Sequence, residues 1–132
     1  MKGYVTNIEE ATKENENFRQ VLYTAKHSQL VLMSLKPGEE IGEEVHEEID
    51  QFFRFEEGEG KVVIDGAEHE VEDGSAVVVP AGARHNVINT SSDEELKLYT
   101  IYSPPEHQDG VVRASKEEAE ASEEHFDGKT SE

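Results

Sequence analysis

Short apolar runs separated by polar turns recur through the middle of this chain at the spacing of β-strands. The runs span residues 18–23, 29–35, 51–55, 61–65, 67–71, 76–79, 84–88 and 96–102. Each is shorter than a typical globular helix, and many of their apolar side chains are β-branched or aromatic. The run at 76–79 is read as a buried strand. Together the runs predict an all-β sandwich or barrel.

Helical patterns occur only near the two ends of the chain. Asn7 can cap a short helix, because Glu10 follows it at the position of a capping box. Ser115 and Glu118 have the same spacing near the other end. We therefore expect a helical extension over residues 1–17, a single barrel over 18–105, and an acidic, partly helical or mobile tail over 106–132.

The net charge of the protein limits the classes of molecule that it can bind. Asp and Glu total 31 against 12 Lys and Arg, which gives a net charge of −19. Such a field repels phosphate backbones and anionic lipids, so we expect no nucleic-acid and no membrane partner. There is no cysteine, which excludes disulfides and thiolate metal sites. Without an apolar run of about 18 residues or a signal-peptide pattern, we expect a cytoplasmic protein that binds a small molecule.

His85 lies in a predicted strand, shortly after a Pro-Gly turn. Residues 74–89 read GSAVVVPAGARHNVIN, a strand, a Pro-Gly turn and a second strand. Alternate residues of a strand face opposite sides, so His85 and Val87 share one face. Upstream, Glu44 and His46 are two residues apart and share a face if the chain is extended there. A histidine on an inward, apolar face requires a polar partner.

Two motifs resemble those of the cupin superfamily. The second cupin motif, G-x5-P-x-G-x2-H-x3-N, is reproduced by Gly74, Pro80, Gly82, His85 and Asn89. The first, G-x5-H-x-H-x4-E-x6-G, can be laid in register on Gly38, Glu44, His46, Gln51 and Gly58. The resemblance covers about residues 30 to 102 and implies a double-stranded β-helix, the cupin jelly-roll barrel.

The resemblance also implies a divalent metal site formed by Glu44, His46, Gln51 and His85. Glu44 stands where the family has a histidine, and Gln51 where it has a glutamate, so the formal ligand charge stays at minus one. Imidazole, carboxylate and amide oxygen can hold Mn²⁺, Fe²⁺, Ni²⁺ or Zn²⁺, although the amide is a weaker donor than a carboxylate.

Other interpretations of these residues stay open. His85 can be a core histidine satisfied by hydrogen bonds, and residues 44–46 can be a solvated edge in a Glu-rich run. Glu48 and Asp50 are alternative oxygen donors. Asp50 faces away from Gln51 if the strand has already begun there.

The alternation of side chains between the two faces of a strand predicts which residues surround the site. If Gln51 points into the barrel, aromatic side chains follow it there and make a dry, mostly apolar pocket. The predicted lining residues are Phe53, Phe55, Tyr99 and Ile101. Phe52 then points outward, where it suits the homodimer interface that cupins often use.

The sequence resembles most the metal-binding domain of type II phosphomannose isomerases, which has a Glu-x-His motif followed by Asp-Gln-Phe. This implies a sugar-phosphate isomerase in which Glu44, if it is not a ligand, is the general base. The absence of an evident phosphate clamp argues against it, because Arg54 and Arg84 face away from His85 by parity. The alternatives are an Fe(II)-dependent dioxygenase, for which two histidines and a carboxylate are the typical ligands, and a non-enzymatic cupin that binds a small ligand.

Overall fold

Ten strands and two short helices make up the chain, which the computed structural model describes from residue 1 to residue 132. In chain order they are α1 (Ile8–Glu14), β1 (Arg19–Thr24), β2 (Gln29–Leu35), β3 (Glu44–Val45), β4 (Asp50–Glu57), β5 (Glu59–Ile64), β6 (Ala67–Glu72), β7 (Ala76–Val79), β8 (Arg84–Asn89), β9 (Leu96–Ser103), β10 (Val112–Arg113) and α2 (Lys116–Ala121). The order of strands is β10-β1-β2-β9-β4-β7 in one sheet and β3-β8-β5-β6 in the other. The all-β prediction is confirmed, with short helices near both ends.

The core lies between the two sheets and is built from alternate residues of their strands. Every second residue of β4 from Gln51 to Phe55 is buried, as is every second residue of β8 from His85 to Asn89. Burying one large apolar side chain contributes about 1.5–3 kcal/mol. A register slip of one residue would turn all of them outward, so this alternation fixes the strand register.

Gly58 joins β4 to β5 at a point where the backbone has no room for a side chain. Its φ is +92°, and a Cβ there would lie 2.3 Å from the carbonyl oxygen of Glu95. Both the left-handed conformation and the close approach require glycine. Packing therefore explains why the first motif ends on glycine.

Strand β7 differs from its prediction as a buried strand. It pairs only with β4 and forms one edge of the six-stranded sheet. Val79 is buried, but Ala76 is exposed and Val78 retains 66% of its accessible surface. Four consecutive apolar residues looked like a strand covered on both faces, whereas the outer face of this sheet is open at its edge.

The two ends of the chain pack on the barrel. Helix α1 begins after Asn7, whose side chain accepts a hydrogen bond from the backbone N–H of Glu10 (3.1 Å). In the predicted tail, α2 is present and β10 pairs with β1. The last residues return to the barrel, where Ser131 donates its backbone N–H to the carbonyl of Thr24 (2.9 Å). Neither helix has the length and apolar character needed to cross a bilayer.

Candidate metal centre

Strand pairing brings the predicted metal ligands to one end of the barrel. Glu44 of β3 and His85 of β8 are direct cross-strand partners, so their side chains point the same way. Gln51 of β4 is paired with Tyr102 of β9. The ring edge of Tyr102 meets His46, with ring centroids 5.9 Å apart. The two sheets therefore contribute side chains to the same site.

Glu44 and His46 have the spacing of two ligands of one ion. Nε2 of His46 lies 3.1 Å from Oε2 of Glu44, yet it is buried and has no hydrogen-bond partner in good alignment. Two donors bound at right angles to an ion, each at about 2.1 Å, would be about 3 Å apart. The separation fits two ligands of one ion, and without an ion the same contact pairs the imidazole of His46 with the carboxylate of Glu44.

Gln51 presents an oxygen that nothing in the chain satisfies. Its side chain is only 3% exposed, and its Nε2 donates to Oγ1 of Thr100 (3.0 Å). The amide oxygen, Oε1, is buried without a hydrogen-bond partner. An unsatisfied buried acceptor costs about 1–3 kcal/mol. A bound cation would remove that cost.

His85 is partly satisfied by the backbone. Its Nδ1 lies 3.2 Å from the carbonyl oxygen of Ala83, which can only accept, so Nδ1 carries the proton and Nε2 is the free acceptor. The ring contacts Phe53 edge-on at 6.1 Å and lies 5.5 Å from the ring of His46. The protonation state is that of a metal-binding imidazole with an anchored ring.

The arrangement falls short of a formed metal site. No three His, Cys, Asp or Glu side chains are grouped closely enough to hold an ion. Binding would require His85 to move towards the Glu44–His46 pair. Asp50 is less suited, because its carboxylate accepts the backbone N–H of Ala81 (2.9 Å) in the turn before β8. The four-residue set remains a prediction.

The charges of Glu44 and His46 are coupled. Burial alone would raise the pKa of Glu44, but the neighbouring imidazoles of His46 and His85 outweigh it and hold that pKa below its usual range. Burial alone would lower the pKa of His46, but Glu44 and then Glu106 outweigh it and raise that pKa. Burial, reinforced by the charge of His46, lowers the pKa of His85. Without metal, Glu44 and His46 therefore stabilise each other's charged forms, whereas the neutral form of His85 is favoured.

This coupling predicts the pH dependence of the metal-free protein. The folded pKa of His46 is raised above its ordinary 6.5, so its contribution to stability is present below pH 6.5 and is lost as the pH rises through the raised value. The folded pKa of Glu44 is lowered from 4.5, so the contribution of Glu44 to stability is present above pH 4.5 and is lost as the pH falls through the lowered value. We expect the difference in free energy of unfolding between the wild type and Glu44→Gln, measured in urea, to shrink as the pH rises from 5.5 to 8, because comparing the two proteins isolates this pair from the other histidines. Equal slopes would contradict the coupling.

The predicted pocket residues divide between the two faces of the sheet. Phe53 and Phe55 point inward and are fully buried, Phe53 against His85 and Phe55 stacked on Phe53. Tyr99 and Ile101 are paired with Arg54 and Phe52 on the outer face. Their prediction as lining residues is wrong, because the inward residues of β9 are Leu96, Leu98, Thr100 and Tyr102.

Two buried residues at the site were missed from the sequence. Tyr102 points inward, and its hydroxyl lies 3.3 Å from Nε2 of His107. Burial, followed by the negative charge of Glu44, holds the pKa of Tyr102 above its usual range, so the phenol keeps its proton. The alternation of β9, started from Leu96, would have found Tyr102. No local pattern marks His107, which the sequence places in a polar tail.

The mouth of the barrel contains a cavity of about 330 Å³, hereafter the mouth cavity. Its lining includes Arg19, residues 41–44, and part of the C-terminal segment from Glu106 to His125. Only 3 of the 14 lining residues are hydrophobic, so the expected apolar pocket is wrong. Glu106 links the wall to the site, because its carboxylate lies 3.6 Å from Nδ1 of His46 and 2.9 Å from Nδ1 of His125.

Two antiparallel sheets that enclose one hydrophobic core make a jelly-roll barrel. Residues 31–102, more than half of the chain, match the family model described as "Cupin domain". The protein therefore belongs to the cupin family, and the double-stranded β-helix predicted from the two motifs is confirmed.

Similar proteins extend this relationship over most of the chain. It is 49% identical over 128 residues to the uncharacterized protein YrkC of Bacillus subtilis (strain 168), covering 92% of this chain and 68% of that protein. It is 44% identical over 113 residues to the uncharacterized protein L612 of Acanthamoeba polyphaga mimivirus, covering 83% and 70%. The crystal structure of BH2720 from Bacillus halodurans superposes with a TM-score of 0.89 at 45% identity, covering 92% and 96%. None of these names states an activity.

Proposed function

We propose that this cupin binds one divalent cation through Glu44, His46, Gln51 and His85 and holds a small molecule in the mouth cavity beside it. The observation that carries the proposal is that two of the seven buried side-chain atoms without hydrogen-bond partners, Nε2 of His46 and Oε1 of Gln51, belong to the predicted ligands. Buried polar groups are normally satisfied, and one cation would satisfy both. The donor set suits Mn²⁺, Fe²⁺, Ni²⁺ or Zn²⁺.

The activity that we propose is an isomerisation of a sugar phosphate, as the resemblance to type II phosphomannose isomerases suggests. A bound ion would polarise the carbonyl group of such a substrate. Because Glu44 faces Nε2 of His46, its role as a ligand is favoured over its role as the base. Glu106, which lines the mouth cavity, is then the carboxylate that would take a proton from one carbon and return it to the next.

A dioxygenase that uses Fe²⁺ is the second candidate. It is favoured by the proximity of two imidazoles and one carboxylate, since Glu44 is the cross-strand partner of His85 and the ring of His46 lies 5.5 Å from that of His85. Two histidines and a carboxylate form the facial set of non-haem iron sites. The two candidates differ in the metal that they need and in their use of oxygen.

Metal analysis of the untagged protein distinguishes these functions. The protein would be analysed as purified, dialysed against a chelator, and reloaded separately with Mn²⁺, Fe²⁺, Ni²⁺ and Zn²⁺. About one ion per chain, a lower melting temperature after chelation, and exchange of solvent deuterium into mannose 6-phosphate would support the isomerase. Iron with oxygen uptake would favour the dioxygenase. A metal-free protein whose stability is unchanged by chelation would overturn the metal site and favour a simple ligand-binding module.

We also propose that two copies associate through the outer face of the six-stranded sheet. Cross-strand partners form an apolar row there: Val78 of β7, Phe52 of β4, Ile101 of β9 and Leu30 of β2. Val78 is 66% exposed at a free sheet edge, and such an edge is normally covered or charged. A second copy would cover both the edge and the row.

Light scattering tests this association. We expect the wild type to have twice the mass of the 14.8 kDa chain and Val78→Glu to have the mass of one chain. Val112→Glu is the matched control, because Val112 is 46% exposed on β10 at the opposite edge of the same sheet, and it should remain a dimer. A single-chain mass for the wild type would contradict the proposal.

A further inference from the structure

Arg19 differs from the other three arginines because no carboxylate pairs with it. The three pairs are Arg54 with Glu56 (3.1 Å), Arg84 with Glu43 (2.8 Å) and Arg113 with Glu124 (3.1 Å). The chain contains 31 acidic residues, so partners are abundant. An arginine left without one in such a chain points to a partner from outside it.

The position of Arg19 directs its side chain to the mouth cavity. It is the first residue of β1 and the cross-strand partner of Met33, a core residue, so it lies on the inner face of the sheet. It lines the mouth cavity together with Glu44 and Glu106. Its Nε is buried and has no hydrogen-bond partner, which is also true of the Nε atoms of Arg54 and Arg113, but those two guanidinium groups each pair with a carboxylate. One side of the guanidinium is supported by Phe18, whose ring centroid is 5.5 Å away.

The charges around the mouth cavity leave Arg19 available. Glu43 and Glu124 are neutralised by Arg84 and Arg113, respectively. Arg19 and Glu44 line the same cavity, so the guanidinium lies near the candidate metal centre. A divalent ion held by Glu44 would add positive charge beside Arg19 and Lys116, and these charges face the carboxylates of Glu106, Glu120 and Glu123 in the same cavity.

We propose that Arg19 binds an oxyanion, a carboxylate or phosphate group, of the molecule held in the mouth cavity. The planar guanidinium matches such groups with two parallel hydrogen bonds. Arg19 thereby supplies the anion clamp that is missing near the two sequence motifs. The proposal rests on the proposed function only in placing the ligand in this cavity, because the contact with Arg19 does not depend on the metal.

NMR of the wild-type protein tests the contact directly. Inorganic phosphate and acetate would be titrated at constant ionic strength while the Nε–Hε resonances of the arginines are followed, first in metal-free protein and then in Zn²⁺-loaded protein. We expect a saturable shift of the Arg19 resonance and none for Arg54, which is paired on the outer face. A stronger response to phosphate would identify a phosphate-bearing ligand, and a stronger response to acetate a carboxylate-bearing one.

Variants measure how much Arg19 contributes. Arg19→Gln should weaken the affinity for the better anion by about ten- to a hundredfold, as expected for the loss of a charged hydrogen bond. Arg19→Lys should retain part of it. Arg54→Gln changes the net charge equally and should stay within about twofold of the wild type, with folding checked by melting temperature.

The outcomes separate this proposal from the metal site. It is overturned if neither anion shifts the Arg19 resonance in either form, which is also the result expected if the exposed Glu120 or Glu123 of the cavity wall pairs with Arg19 in solution. Equal losses of affinity in Arg19→Gln and Arg54→Gln overturn it as well. A retained Arg19 shift in a protein that binds no metal would overturn the proposed metal function and leave this contact standing.

Discussion

Replacing His46 with alanine is expected to weaken Mn²⁺ binding by about a hundredfold or more, because a direct ligand contributes at least as much as the outer-shell groups whose loss costs 10–100-fold. Nε2 of His46 is buried, lacks a hydrogen-bond partner and lies 3.1 Å from Glu44. Isothermal titration of the chelator-treated protein measures the effect. His69→Ala is the matched control, since His69 is exposed on β6 and should bind Mn²⁺ as the wild type does.

Gln51→Glu is a second test of the metal site, because it should raise the affinity for metal and lower the stability of the metal-free protein. A carboxylate is a stronger metal donor than an amide oxygen, so the affinity for Mn²⁺ should rise. The same carboxylate is buried where Gln51 is only 3% exposed, so the metal-free protein should be less stable than the wild type. A variant with unchanged metal affinity would show that Gln51 does not face the ion, and an unchanged affinity in His46→Ala would contradict the whole site.

Phe53→Ala is expected to lower the free energy of unfolding by about 3–5 kcal/mol, the usual cost of removing a buried phenylalanine. Phe53 is fully buried, stacks on Phe55 and supports the ring of His85. Few side chains in the protein combine full burial with contact to a predicted ligand. Urea unfolding of the metal-free protein measures the loss.

Phe53→Leu is the conservative comparison for this prediction. It keeps most of the apolar volume and should cost about 1.5 kcal/mol or less. A loss below about 1 kcal/mol in Phe53→Ala would mean that the core around His85 is not tightly packed. In that case the ring of His85 would lack the support that the structure shows.

The sequence predicted the fold well because local alternation and motif spacing agree. In β8, alternate burial of His85 and Val87 follows directly from the pattern of residues 84–88. In β9 the same rule put Tyr99 and Ile101 on the wrong face. Alternation alone allows either set of residues to face inward, and only a residue known to be buried selects between them. Leu96 and Leu98 are fully buried, and they make Tyr102 the inward residue in place of Tyr99.

Only part of the candidate site could be predicted from the sequence, because the residues that form it come from distant segments of the chain. The motifs supply the four predicted ligands, Glu44, His46, Gln51 and His85, which stay a prediction. Arg19, Glu106 and His107 lie beyond the two motifs and line the mouth cavity only after β1 and the C-terminal segment pack on the barrel. The lack of a partner for Arg19 is likewise a property of the folded chain, since nearby acids in the sequence do not reveal which carboxylate reaches which cation.

The candidate metal centre and the wall of the mouth cavity come largely from different parts of the chain. The candidate metal centre lies within the matched residues 31–102, whereas much of the cavity wall comes from residues 106–125. Glu120 and Glu123 of that wall are exposed, so substitutions there cost little stability. Under the proposed function, substitutions in this wall can therefore change which ligand is bound while the barrel and the candidate metal centre are kept.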